Sequence, residues 1–383
     1  MQFRRRNNNS VVLALCSVVL FLIQGCLLLP STHSLTTSAT CDTGNLTKTC
    51  VVFNVTTLKN LFKCTDINAT GAIVKDCVYI GSHSVTFINL TYDFGAGASM
   101  KIESDTGAKV TFSNTQFKAS QFNITAPSVA ITHQSTLNTS SMGVHTKAVS
   151  ADGASNIGIG GTTLETCFAS VEEEEDMSRL EQQKAKASKV LGVKTEIDPW
   201  GSDACSVHPG MGYLATTALG GGCIYISAPT SLSLDLHSQL LADGAPANAD
   251  GSVGAGSGGT IVLKTSVGQV AVDNTVWLSA KGGDGVIAKP GRQIDLYGGG
   301  GGGFIAIQQA AYTSTTLGSI TTVSGGGLPN SSATSLTTEL GCVCGGAGML
   351  KICDTAAANC ELVIANDDLT AQSCLLTKAY PSI

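Results

Sequence analysis

The chain has 383 residues, of which 44 are glycine, 13 % are charged and 5 % are aromatic. This composition favours an all-β fold with many turns, and apolar triplets between the glycine clusters exclude a flexible Gly/Ser linker. Without the three arginines near the start, the chain has 19 basic and 28 acidic residues, which is a net charge near −9. This charge excludes a nucleic-acid-binding protein.

Residues 1–34 have the pattern of a targeting segment. Arg4–Arg6 form a basic start, Val11–Leu29 is mostly apolar, and small residues follow over Ser31–Ser34. A cleaved signal peptide is the first interpretation. A retained signal-anchor that tethers the protein to a membrane is the second, because the apolar run is long enough to cross a bilayer. A lipoprotein signal at Cys26 fits least, since apolar residues follow that cysteine.

Twelve of the fourteen cysteines lie beyond Cys26. An even number in a chain with a secretory signal predicts disulfide bonds in an oxidising compartment. The disulfide candidates are Cys41, Cys50, Cys64, Cys77, Cys167, Cys205, Cys223, Cys342, Cys344, Cys353, Cys360 and Cys374. The groups Cys167–Cys223 and Cys342–Cys374 hold odd numbers, so at least one bond leaves each group if all pair. A metal site within Cys342–Cys360 is the alternative, disfavoured because no histidine is near it in the sequence.

Seven Asn-x-Ser/Thr sequons follow the targeting segment, and six of them precede residue 140. They begin at Asn45, Asn54, Asn68, Asn89, Asn123, Asn138 and Asn330. This density in a secreted, cysteine-rich chain predicts N-glycosylation of the N-terminal part, and it argues against a bacterial lipoprotein.

Residues 35–83 are predicted to form a cysteine-rich N-terminal cap, and residues 84–163 a series of short, glycosylated strands. The cap would cover the core and strand edges that a first solenoid coil otherwise exposes. The predicted strands are Val85–Ile88, Met100–Ile102, Val110–Phe112, Phe122–Ile124 and Val129–Ile131. Their alternating pattern places one face inward. The hairpins of a β-sandwich would fit these residues as well as the coils of a parallel β-helix.

Residues 164–212 are predicted to be a helical or irregular insertion. Ser170 and Glu173 make a capping box, and the helix extends to about Lys194. We interpret it as a solvated surface insertion. A calcium or partner site in the acidic run Glu172–Asp176 is the alternative, although adjacent acids on a helix point in different directions and chelate poorly.

Residues 213–366 contain a glycine-rich repeat, and residues 367–383 a tail with one cysteine. Four glycine clusters each lead into an apolar strand, in Gly220–Ile226, Gly256–Leu263, Gly298–Ile307 and Gly345–Ile352. The last glycines of successive clusters lie 37, 44 and 45 residues apart. A second strand in each unit ends in a small-residue turn, which predicts solenoid coils with aliphatic residues stacked inward. Glycine is expected to supply positive φ at the corners and close backbone contact between coils.

This repeat resembles a family of glycine-rich extracellular proteins of plants, oomycetes and other protists. The resemblance is carried by Gly256–Leu263, Ala280–Gly283, Gly300–Ile307, Gly345–Gly348 and Leu362–Asn366. It is best over residues 220–366 and extends to 84–159. It implies a right-handed parallel β-helix of pectin-lyase-like type, without an assigned activity.

The candidate catalytic residues are Asp284, Arg292 and Asp295, with Lys281 upstream. Pectin-lyase-like enzymes cut acidic polysaccharides with calcium-binding aspartates and a basic residue, and other β-helices hydrolyse glycosidic bonds with paired carboxylates. We favour a solvated turn over such a site. Gly282–Gly285 resembles half of a calcium-binding repeat in a single copy, so neither a metal nor a cofactor is predicted.

The sequence therefore predicts an all-β protein: a right-handed parallel β-helix with a disulfide-rich N-terminal cap and one inserted α-helix. The predicted function is a secreted or cell-surface glycoprotein of structural or adhesive type, without catalytic activity. Its expected partners are extracellular glycans or matrix proteins. The alternative is a carbohydrate-binding or polysaccharide-cleaving β-helix protein.

Overall fold

The structure is a computed structural model, and it describes part of the chain. The described residues are 50–69, 72–105, 107–146, 211–213, 219–247, 254–288, 295–297, 299–310, 321–326, 345, 347–355 and 360–365. They contain twenty-five strands and one short helix. The targeting segment, the helix predicted within 164–212 and the tail 367–383 lie outside them. Within the described part of the chain, no helix is long and apolar enough to cross a membrane.

Three sheets built mainly of parallel strands account for most of the structure. In spatial order, sheet I contains β1 (Cys50–Val52), β4 (Val85–Ile88), β7 (Lys109–Ser113), β10 (Ser128–Thr132), β15 (Ser231–Leu234) and β18 (Val270–Val272). Sheet II contains β5 (Thr91–Asp93), β8 (Gln116–Lys118), β11 (Thr136–Asn138), β16 (Gln239–Leu241), β19 (Trp277–Ser279) and β23 (Thr321–Thr322).

Sheet III is the largest of the three. It contains β2 (Lys63–Ala69), β3 (Ala72–Gly81), β6 (Ala98–Ser104), β9 (Gln121–Thr125), β14 (Cys223–Ser227), β17 (Thr260–Lys264), β22 (Phe304–Gln309), β24 (Gly348–Asp354) and β25 (Cys360–Ala365). Two small pairs complete the strands: the parallel pair β12 (Val144–Thr146) and β13 (Met211–Tyr213), and the antiparallel pair β20 (Val286–Ala288) and β21 (Asp295–Tyr297).

From β4 to β22 the chain passes through the three sheets in a constant order, from sheet I to sheet II to sheet III. We call one such passage a round; β4, β5 and β6 form one round, and β7, β8 and β9 form the next. Each strand pairs in parallel with its counterpart one round later. In the C-terminal half, Cys223 pairs with Thr260, Thr260 with Phe304, and Phe304 with Met349. The repeat spacings in the sequence are therefore the lengths of successive rounds.

Aliphatic and aromatic side chains form continuous columns on the inner face of sheet III. One column, in register from strand to strand and fully buried, consists of Met100, Phe122, Ile224, Ile261, Ile305 and Leu350. A fully buried side chain of this size contributes about 1.5–3 kcal/mol. The prediction that the apolar triplets stack inward is confirmed.

The N-terminal rounds have an aromatic core. The rings of Phe87 and Phe112 stack with centroids 5.1 Å apart, and Phe117 meets Phe112 edge-on at 5.9 Å. Helix α1 (Val55–Leu61), which sequence analysis did not predict, buries Leu58 in the same core. Its N-cap is Asn54, whose side chain accepts a hydrogen bond from the backbone N–H of Thr57 at 2.8 Å, as an N-cap side chain typically does.

Glycine provides close backbone contact in the C-terminal rounds, and the prediction of positive φ at their corners is wrong for the glycines that the structure describes there. Among the described glycines, positive φ occurs only at Gly95, Gly97 and Gly107, all in the N-terminal half. The left-handed corners between sheets I and II instead use residues such as Asn89 and Asn114, with φ of 52° and 51°. Asparagine tolerates this conformation because its short polar side chain can bond locally.

Neighbouring rounds are also joined outside the strands, by a series of glycines that we call the glycine column. It consists of Gly256, Gly283, Gly300, Gly326 and Gly345. The N–H of each donates to the carbonyl of the one before, at 2.8 to 2.9 Å from Gly283 onwards. A Cβ atom on Gly300 would overlap the carbonyl oxygen of Gly256, and one on Gly326 would overlap that of Gly283. The column has no room for any side chain.

Both described edges of sheet III are antiparallel hairpins closed by disulfide bonds. Cys64 and Cys77 join β2 to β3, and Cys353 and Cys360 join β24 to β25. The cysteines of each pair lie directly opposite, with Cα atoms 4.0 and 4.2 Å apart. Cys50 and Cys223 are also disulfide-bonded. The Cys353–Cys360 bond contradicts the alternative of a metal site within Cys342–Cys360 that uses both thiolates.

We predict that Gly300→Ala destabilises the protein by at least about 3 kcal/mol, the upper end of the cost of overpacking, because the rigid backbone of Gly256 cannot move aside. Thermal unfolding followed by circular dichroism measures the loss. Ser231→Ala, a small change at an exposed position of sheet I, is the matched control. A Gly300→Ala protein as stable as the control would contradict the role given to the glycine column.

Candidate functional site

The outer face of sheet II carries the candidate site. Along β19, Leu278 points inward and is fully buried, while Trp277 points outward and is 42 % exposed. The alternation of a strand places Ser279 on the same side as Trp277. Trp277 is the largest of the exposed hydrophobic side chains among the described residues, and its outward position contributes nothing to the core beneath β19.

A row of polar residues crosses sheet II in register with Trp277. The row consists of Thr91, Gln116, Thr136, Gln239 and Trp277, each paired with the next. Gln239, directly beside the tryptophan, is exposed. Because adjacent strands lie about 4.8 Å apart, the row spans about 19 Å. It presents amide and hydroxyl groups on one side of an indole ring.

A cluster of charged residues lies where β16 and β19 end. The Oδ1 atom of Asp243 accepts hydrogen bonds from the Ser279 hydroxyl and, at 2.7 Å, from the backbone N–H of Lys281. The Lys281 ammonium forms an ion pair with the Asp284 carboxylate at 3.0 Å. The backbone N–H of Asp243 donates to the Ser140 hydroxyl at 2.9 Å. Asp243 thus connects its own round with the rounds before and after it.

Burial raises the pKa of the Asp243 carboxyl above its ordinary value, because desolvation disfavours the charged form. The hydrogen bonds from Ser279 and Lys281 and the positive charge of Lys281 act in the opposite direction, and the charge of Asp284 adds to the increase. Burial therefore outweighs two donors and a nearby cation. Such a carboxyl group can hold a structural junction together or release a proton near its altered pKa.

The structure describes the predicted catalytic residues only in part. Asp284 lies before β20 and forms its ion pair with Lys281. The backbone of Asp295 pairs with that of Ala288, four residues beyond Asp284. Arg292 lies outside the described residues. Convergence of Asp284, Arg292 and Asp295, the disfavoured alternative, is therefore untested, and the solvated turn stays a prediction.

Sequence analysis missed Asp243 and Trp277 as members of a common site. Ser279 and Asp243 are 36 residues apart in the chain, so only the register of β16 and β19 brings them together. A signal for Trp277 existed: it is flanked by the buried residues Val276 and Leu278, a pattern that assigns the tryptophan to the outer face of a strand. In the described part of the chain, no three His, Cys, Asp or Glu residues are grouped to hold a metal ion.

Four predicted glycosylation sites have described side chains, and all of them lie on the outside. Asn54 and Asn89 are exposed, and Asn123 and Asn138 are half-buried at outward positions of β9 and β11. The backbone of Asn68 lies in β2, while Asn45 and Asn330 lie outside the described residues. Glycosylation stays a prediction, and the outward positions are compatible with it.

Comparisons with family models, with curated proteins and with solved structures found no match to this chain. The resemblance to glycine-rich extracellular proteins therefore stays a prediction that depends on the glycine-led strands alone.

We predict that Asp243→Asn removes a pH dependence of stability. The folded state holds the Asp243 proton more tightly than the unfolded state, so the unfolding free energy falls as pH rises from the ordinary pKa of 3.8 through the raised pKa of the folded protein. Asparagine keeps the oxygen that accepts from Ser279 and Lys281 but does not ionise. The variant should therefore gain thermal stability relative to wild type between acidic and neutral pH.

The matched control for this measurement is Asp105→Asn, which changes an exposed carboxyl group. It is measured over the same pH series, and the gain of Asp243→Asn is taken as the difference from this control. Parallel curves for wild type and Asp243→Asn would show that burial of Asp243 has no energetic consequence.

Proposed function

We propose that this protein is a secreted or cell-surface β-solenoid that acts as a structural, adhesive scaffold and has no catalytic activity. In this proposal the three sheets are the faces of a right-handed parallel β-helix. The constant order of the rounds and the parallel pairing from round to round support it. Right-handedness follows from the strong preference of parallel crossover connections for that hand.

The observation that carries the proposal is the pair of disulfide-closed hairpins at the edges of sheet III. At each edge, the outermost strand is antiparallel to the stack, and a disulfide bond ties it to its neighbour. The bond keeps the end of the sheet from fraying, which would expose further unpaired backbone groups to other chains. Disulfide bonds persist in oxidising compartments. The arrangement suits a protein that must last outside the cell.

Targeting and glycosylation extend the proposal. Residues 1–34 would direct the chain into the secretory pathway and, if retained, would tether it to the membrane. N-glycans on the outward Asn54, Asn89, Asn123 and Asn138 would cover much of the N-terminal rounds and protect them from proteases. The resemblance to glycine-rich extracellular β-helix proteins supports the same role. Extracellular glycans or matrix proteins are the partners that such a surface would meet.

Polysaccharide cleavage is the less favoured alternative. A glycosidase needs two carboxyl groups that reach the same glycosidic bond. The two described carboxyl groups of the charged cluster are each engaged by donors, Asp243 by Ser279 and Asp284 by Lys281. Engagement of both groups favours a role in joining the rounds.

We predict that the Cys353→Ser/Cys360→Ser variant loses about 2 kcal/mol of unfolding free energy, the loop-closure contribution of a short disulfide loop. Limited proteolysis should then cut first at the C-terminal edge of sheet III, whereas the wild-type protein stays intact under the same conditions. Wild-type protein treated with a reductant should show the same early cleavage, while unreduced wild type is the control. Equal protease resistance in all samples would argue against the edge disulfides as stabilising elements.

We also predict that the protein expressed in eukaryotic cells appears outside them, or on intact cells that have not been permeabilised. Treatment with peptide N-glycosidase should lower its mass, and Asn89→Gln should remove one glycan.

Beads coated with the protein should adhere to extracellular matrix, and the protein should release no sugar from polysaccharides. Retention inside the cell would contradict the proposed location, and sugar release would contradict the scaffold role.

A further inference from the structure

Trp277 has an exposed ring that the fold itself does not need. A buried indole ring contributes more than most side chains to folding, so exposure of this ring forgoes that gain. Its inward neighbours Val276 and Leu278 already fill the core. On the outer face its partner in register on β16 is the polar Gln239. This polar neighbour is unlike the apolar surroundings found at the centre of most protein–protein interfaces.

Groups that donate and accept hydrogen bonds lie on the β16 side of Trp277 and beyond the end of its strand. The row through Gln239 and Thr136 provides amide and hydroxyl groups on one side of the ring. The Lys281–Asp284 ion pair lies four to seven residues further along the chain, with both side chains more than a third exposed. At the rise of a strand, Lys281 is about 13 Å from Trp277. An extended ligand could reach both.

Pyranose sugars have matching chemistry. One face of the ring presents C–H bonds that stack on a flat aromatic surface, while the rim presents hydroxyl groups that donate and accept hydrogen bonds. Net charge selects among polysaccharides, since the chain without its first three arginines carries 19 basic and 28 acidic residues. This net negative charge of the whole chain repels a polyuronate or a sulfated chain and leaves a neutral polysaccharide unaffected.

We propose that the outer face of sheet II binds a neutral polysaccharide, with Trp277 as the stacking platform and Gln239 as an adjacent hydrogen-bonding group. This inference rests on the proposed extracellular scaffold and gives its ligand class. The protein's own glycan is a competing occupant, because the sequon residue Asn138 lies on the same face, two strands from Trp277. With two strand spacings of about 4.8 Å and an offset of two residues along the strand, a glycan there begins about 12 Å away.

The test uses the full secreted protein and tryptophan fluorescence. The chain has two tryptophans, so Trp200→Phe leaves Trp277 as the only emitter. The probes are cellohexaose, laminarihexaose, chitohexaose and mannohexaose, with hexagalacturonate as the anionic comparator. At least one neutral hexasaccharide should change the emission of Trp277, and hexagalacturonate should bind more weakly.

Matched variants test whether the hexasaccharide binds to this face. Their affinities are measured by calorimetry, because substitutions at or near Trp277 change its fluorescence. Trp277→Ala should weaken binding of that hexasaccharide at least about tenfold, as expected for removal of a central aromatic contact. Trp277→Phe should restore part of the affinity, and Gln239→Ala should weaken it by a smaller factor. Val267→Ala, at a position that is 80 % exposed outside the row, should leave it unchanged.

Three results would overturn the inference. One is undiminished binding by Trp277→Ala, and another is the absence of binding to every neutral hexasaccharide, whether or not hexagalacturonate binds. The third is a change of Trp277 emission on Asn138→Gln without added sugar, which would identify the protein's own glycan as the occupant. In each case, secretion and protease resistance of the same samples show separately whether the scaffold proposal survives.

Discussion

Direct contact between the backbones of successive rounds is the constraint on which the rest of the structure depends. Parallel pairing sets one strand spacing for all three sheets, so every segment between sheets must advance by the same distance in each round. In the C-terminal half, Gly256, Gly283 and Gly300 meet this requirement with main-chain hydrogen bonds alone. The inner side chains then stack at the same interval, which explains why aliphatic residues recur at matching positions in rounds of different length.

The two halves of the stack fill their interiors differently. The N-terminal rounds use large rings such as Phe87 and Phe112, with asparagines at the left-handed corners. The C-terminal rounds use aliphatic columns and additional glycine-rich segments between sheets II and III. The described sequon side chains belong to the first half, whereas Trp277 belongs to the second. If the predicted N-glycans are attached, they would cover the first half of the surface and leave the face around Trp277 open.

Much of the fold was predictable from spacing. The intervals between Gly222, Gly259, Gly303 and Gly348 became the register of β14, β17, β22 and β24, since a repeat in the chain is a repeat in space when strands stack in parallel. The geometry of the glycines was predicted in part. Their close backbone contact is confirmed, whereas the prediction of positive φ is wrong for the described glycines of the C-terminal rounds. A glycine run does not show whether a position excludes a side chain or requires a left-handed turn. The candidate site was less accessible, since Asp243 meets Ser279 only after the register is known.

The hairpins at the two edges of sheet III also restrict where such a protein can gain further rounds during evolution. Because the chain reverses there, a further parallel round added outside either hairpin would find an antiparallel partner that already occupies the edge. A round inserted between β6 and β22, in contrast, finds a parallel neighbour on both sides. Internal duplication of one repeat could therefore lengthen the molecule while both ends stayed intact. Rounds as different in length as those that join β14 to β17 and β17 to β22 show that such additions need not be identical.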